Sequence, residues 1–280
     1  MCKRVTVFCR KRRILNARMY QPGFAADITL GPGSPEVPAL AMEKRQRPKP
    51  RIPSAAAHGT LRLRWRRWLP AMKSDLQDLL GRREIFWDLQ DLAEENPEIL
   101  NPGSFFDWMC RSHVIALTVG VRSFVDFDRR SRSLARLLYE MLESPGVISR
   151  AWHVRMYRGT PIGEEFGHMS FNASVGKGRA FLPQTAIRSD LRRIEDASER
   201  VRRFVNKRVA HRASPGTIRR MPRLNELDNA LDTLDQVFCK YNLLLTATGS
   251  SSLHATRQYD WREVLWEPWV LLGSKFRPGV

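Results

Sequence analysis

From Leu224 onward, apolar side chains recur at threes and fours: Leu224, Leu227, Leu231, Leu234, Phe238, Tyr241 and Leu245. That spacing places them on one face of a helix and fits no strand, whose period is two. The same period marks four earlier segments. One opens at Ser74, a candidate N-cap with Asp75 in the first turn, and carries Leu76, Leu79, Leu80, Phe86, Leu89 and Leu92. NPEILNPG closes it, because each proline disfavours helix just before it. Ser104, with Asp107 at the third position, opens FFDWMCRSHVIALTVGVRSFVDF, which is apolar on most sides. A third helix begins near Ser133 with Leu134, Leu137, Leu138, Met141 and Leu142, ending at SPG. The fourth runs from about Gln184 to Arg212 on a stripe of Leu191, Ile194, Val201, Val205 and Val209. The fifth ends near Thr248. With no strand alternation and no internal repeat, the expected fold is all-α, a bundle of four to five helices.

The +18 formal charge is unevenly spread: residues 1–71 hold 16 basic and 3 acidic side chains, a net of +13. Residues 1–58 show turn formers (QPGF, GPGSPEVP, RPKPRIPS) and no sustained period, so they bury too little apolar surface to offset ordering. Residues 1–71 are therefore expected to be a disordered basic extension, with Met72 a rival starting residue. A helical domain over 72–270 and a tail over 271–280 follow. LRLRWRRWLP (61–70) leaves three readings open: contact with a membrane or RNA, extension of the first helix, or sequence foreign to the native protein.

Residues 145–183, rich in glycine and aromatics, read as a long loop with room for one short helix near Trp152 to Tyr157. Cys110 and Cys239 fall within apolar helical patterns, and Cys2 and Cys9 complete a set without metal-ligand spacing. Reduced thiols in a cytoplasmic protein are expected. Neither a secretory signal nor a membrane span is expected: VTVF is cut off by CRKRR, and Val114–Val121 is too short to span a bilayer. The six histidines form no HExxH or Cys/His cluster, so no metal and no cofactor are expected. VGKGR lacks the P-loop spacing and reads as a turn.

Three places hold candidate chemistry. Arg122 and Asp126 lie four apart, the spacing of an ion pair on a helix or of a polar pocket between helices. His113 reads as a core histidine. FVNKRVAHRA (204–213) puts His211 at a helix end, where the macrodipole favours imidazolium while Lys207, Arg208 and Arg212 oppose it. A histidine so balanced could titrate near neutrality, as an acid/base for RNA cleavage requires, with the basic neighbours holding phosphate.

VNKRVAH with a following arginine resembles the signature of HEPN domains, in particular their abortive-infection, AbiU-like branch. GVRSFVDFDRRSRSLARLL (120–138), SDLRRIEDASERVRRFVNKRVAHR (189–212) and the closing YDWREVLWEPW are similar to that branch in order and spacing, over roughly residues 72–270. The resemblance implies a helical bundle that pairs two protomers and binds or cleaves RNA without metal, in a bacterial defence or stress setting. It assigns His211 as acid/base and Asn206 as its polar partner. Arg122 and Arg208, flanked by Lys207 and Arg212, would contact phosphate, with Asp126 orienting Arg122. The family's motif arginine would fall at 204 to 206, where this chain has Phe204, Val205 and Asn206. The rival implication is a non-catalytic HEPN domain that dimerises or binds a ligand or a toxin/antitoxin-type partner.

Overall fold

A computed structural model describes residues 55–97, 105–210, 222–255 and 258–266. Eight α-helices make up the described fold: α1 (Ala55–Glu95), α2 (Phe105–Phe124), α3 (Leu134–Glu143), α4 (Arg150–Arg155), α5 (Gly163–Val175), α6 (Gln184–Phe204), α7 (Leu224–Thr246) and α8 (Glu263–Trp266). A π-helical turn, Val205–Val209, continues α6. No strand occurs among the described residues, where one isolated bridge joins Ser149 to Phe181. The fold is an all-helical bundle.

The centre is α7, whose Leu227, Leu231, Leu234, Phe238, Tyr241 and Leu245 are buried as their spacing requires. It packs against α1 and α6, and α6 against α2 and α3. Gly120 sits where α1 crosses α2; a Cβ there would collide with the Leu79 side chain. The short helices begin at real caps: Ser133 Oγ accepts from Arg136 N at 3.0 Å, and Ser149 Oγ from Trp152 N at 3.2 Å. At α7, Glu226 accepts from the Arg223 N–H at 2.9 Å.

The first helix corrects the boundary at residue 72. It starts at Ala55, and Ser74 lies inside it rather than capping it. Within LRLRWRRWLP, Trp65 and Leu69 are fully buried, joined by Met72. Trp65 Nε1 donates to Glu140 Oε2 at 2.8 Å, and Arg64 and Arg136 complete an ion-pair cluster on that buried carboxylate. The segment therefore extends the first helix, because its apolar residues meet the core and its buried indole finds an acceptor. Pro70 within it removes one helix donor. Residues 1–54 and 271–280 lie outside the described residues, as does the Ser104 cap.

In the stretch 145–183 the short helix expected near Trp152 is α4, but a second helix, α5, corrects the reading of the rest as loop. His153 is their hub. Its Nδ1 lies 3.1 Å from Leu244 O and its Nε2 2.7 Å from Ser170 Oγ, which Tyr157 Oη approaches at 3.1 Å. The carbonyl can only accept, so Nδ1 carries the proton and Nε2 accepts from Ser170. Burial holds this imidazole below its ordinary pKa. Gly167 allows the close approach of α4 and α5: a Cβ there would lie 2.8 Å from the Tyr157 ring.

Candidate functional site

Arg122 stands in the last turn of α2 and Asn206 in the π turn that packs beside it. The Arg122 Nε–H donates to Asn206 Oδ1 at 2.7 Å, across 84 residues of chain. Because the guanidinium offers donors only, the amide's oxygen must face it, which leaves the Asn206 Nδ2 donors directed elsewhere. The two Nη groups of Arg122 make no hydrogen bond among the described residues. The pair thus presents donors alone, in the fork geometry that matches a phosphate or carboxylate. Lys207 and Arg208, next along the turn, are exposed and have no ion pair among the described residues.

The π turn explains how these side chains reach the surface. Ala210 N–H donates to Val205 O at 2.8 Å, so five residues span one turn. Val201 and Val205 stay in the core, but Val209, next in the expected stripe, is exposed. Single π turns inside α-helices occur frequently at functional sites. No periodicity count could have found this one, since it breaks the period.

Asp126 does not orient Arg122. The α2 helix ends at Phe124, so the four-residue step is not helical, and the Asp126 carboxylate accepts instead from the Asp128 N–H at 3.1 Å. Its backbone carbonyl accepts from Ser133 Oγ, tying the α2 end to the α3 start. His211 and Arg212 lie outside the described residues. His113 stacks on Phe86 with ring centroids 5.3 Å apart, and burial lowers its pKa, as a core histidine should behave. Among the described residues no group of histidine, cysteine, aspartate and glutamate side chains could hold a metal ion. Cys110 and Cys239 are buried and free; burial, with Asp235 beside it, pushes the Cys239 thiol up to about 12. No described helix is long and apolar enough to cross a membrane.

A second polar cluster escaped the sequence reading because its members come from three distant segments. His254 Nε2 lies 2.7 Å from Arg83 Nη2 and its Nδ1 2.7 Å from Glu84 Oε1. The guanidinium forces Nε2 to accept, so the proton sits on Nδ1 facing Glu84. Arg83 also pairs with Asp232 at 2.6 Å. These contacts clamp the 250–255 segment onto α1 and α7. Asp235 reinforces them by accepting from Leu253 N at 2.9 Å.

Compared with protein-family models, with curated proteins and with solved structures, the chain matches none. The described fold is a helical bundle in which the Arg122–Asn206 hydrogen bond joins α2 to the π turn.

Proposed function

We propose that this protein binds RNA at Arg122 and Asn206 and cleaves it without a metal ion, in a bacterial defence or stress system, as the HEPN resemblance implies. The observation that carries the reading is the 2.7 Å Arg122–Asn206 hydrogen bond, which turns two separate polar residues into one anion receptor. A phosphodiester is its natural guest. Arg122 Nη1 and Nη2 take two phosphate oxygens, Asn206 Nδ2 offers a third donor, and Lys207 and Arg208 supply screening charge. His211, five residues beyond Asn206, takes the proton of the RNA 2′-hydroxyl as that oxygen attacks phosphorus. The P–O5′ bond then breaks, and the 5′-oxygen takes up a proton.

The reading includes a homodimer. Trp108, Ile115 and Val119 are exposed on α2 at steps of seven and four, one helix face that runs towards Arg122. A second copy packed on that stripe would bring two such receptors together.

A second reading has its own observation. Val205 is only 3% exposed and Phe204 is 8% exposed, so two of the three positions where the motif arginine would fall are core. In this reading the protein keeps the RNA or partner site, or a toxin/antitoxin-type docking role, without cleavage. Incubating the full chain with end-labelled RNA in EDTA separates the two. Cleavage that disappears in His211→Ala supports the first; Asn206-dependent binding of intact RNA supports the second. Neither binding nor cleavage would sink both.

A further inference from the structure

Arg62 near the start of α1 and Arg155 on α4 form a second cationic group that makes no ion pair among the described residues, with the His58 imidazole beside it. His58 and Arg62 lie one turn apart on α1 and face Trp152 and Arg155 on α4. The Arg62 guanidinium lies 4.7 Å from the centre of the Trp152 ring and reaches one protein acceptor, Val147 O, at 3.4 Å. Its Nε–H and the His58 Nε2 are buried without a hydrogen-bond partner. Arg155 is exposed and makes no ion pair among the described residues. Other arginines of this fold find a polar side chain: Arg64 and Arg136 meet Glu140, Arg83 meets Asp232, and Arg122 meets the Asn206 amide. Arg62 has Arg155 as its charged neighbour instead, and both burial and that like charge lower its pKa. Cations gathered without an acid form a site that an anion completes.

What lies beside the cluster says which anion. Phe181 is half exposed, and its ring and the His58 ring both flank Gly146. An exposed aromatic ring next to two arginines suits a base and its backbone in a single strand. A bilayer is the poorer occupant, because Trp65 and Leu69 of the same basic segment are turned into the core, which leaves Leu63 as its more than half-exposed large apolar side chain.

The geometry points to a phosphate-binding site for single-stranded nucleic acid, built by Arg62, Arg155 and His58 with Phe181 as a stacking platform. It uses different elements from the Arg122–Asn206 receptor and does not depend on that receptor's chemistry.

Oligo(dT) lacks the 2′-hydroxyl that cleavage needs, so it reports binding without turnover, and dependence on Arg155 rather than on Asn206 separates the two sites. The test is fluorescence anisotropy of the full chain with fluorescein-labelled oligo(dT) in EDTA, titrated with salt. Arg155→Ala, a surface change that should leave the far-UV spectrum intact, is expected to weaken binding about fivefold. It should also make the slope of log K against log salt shallower by about 0.7, one phosphate contact on a single strand. Arg155→Lys should keep most of both, and Phe181→Ala should weaken binding without changing the slope. An Arg155→Ala affinity and slope equal to wild type would overturn the proposal. So would Arg155-dependent binding confined to inorganic phosphate, which would mark an ion site, or confined to phosphatidylserine vesicles, which would mark a membrane surface.

Discussion

Trp65 and Glu140, 75 residues apart, meet through a 2.8 Å hydrogen bond from the indole Nε1 to the buried carboxylate. That contact makes the basic-aromatic segment part of the domain. A chain beginning at Met72 would lose Trp65, Leu69 and the Arg64 partner of Glu140, leaving a buried carboxylate with Arg136 alone.

The expected outcome is that residues 72–280 fail to melt cooperatively. In the full chain, Trp65→Ala should cost about 3–5 kcal/mol, the usual range for a buried large aromatic. Denaturant melts followed by circular dichroism measure both. A 72–280 protein with the wild-type midpoint would show that the Trp65 contact carries no stability.

Asn206→Ala should weaken RNA binding while costing no more than ~1.5 kcal/mol of stability, because it removes one half-buried hydrogen bond. Arg122→Lys should not rescue, since an ammonium cannot donate to Asn206 and grip phosphate with a planar fork at once. Filter binding of labelled RNA, beside thermal melts, reads the two effects separately. Full retention of binding in Asn206→Ala would remove the receptor.

Val205→Arg places the family's arginine six residues before His211, with five residues between them. Val205 is buried, so the guanidinium would displace packed side chains and find no acid there. Destabilisation by more than ~3 kcal/mol is expected, with no gain of cleavage. A stable, RNA-cleaving variant would mean that the helix end can rotate and that the site is dormant rather than lost.

The α2 stripe predicts self-association. Sedimentation at micromolar concentration should give twice the protomer mass, and Val119→Glu should return a folded monomer by placing a charge on the apolar face. A wild-type monomer would remove the shared groove.

His153 sets a pH dependence. Its folded pKa is lowered by burial, and the unfolded imidazole titrates near about 6.5, so the unfolded chain binds the proton first. Stability is therefore complete above about pH 6.5 and falls as the pH drops below it. His58 and His113, also lowered by burial, add in the same direction, as does the Arg150 charge facing His153. The melting temperature should fall between pH 7 and pH 5, less steeply in His153→Asn, which starts lower because its hydrogen bonds to Leu244 and Ser170 are disturbed. Equal slopes in the two proteins would show that His153 does not titrate with unfolding.

The helical class, the α7 core face and the Ser133 cap were legible in the sequence, because each depends on residues within a turn or two of one another. Helix α5 was not: GEEFGHMSFNASV leaves Phe166 and Met169 exposed and buries Phe171, so it shows no continuous apolar stripe. The sequence also marked Arg122 and Asn206 as polar residues worth notice, but it paired Arg122 with Asp126. Only the tertiary structure decided that partner, by ending α2 at Phe124 and setting the π turn against it. The same holds for Trp65: extension of the first helix was one of the readings its segment left open, and the packing against Glu140 selects it. Local spacing determines which face of a helix is apolar. Which distant carboxylate, amide or ring that face meets is determined by how the helices pack, and no local pattern encodes it.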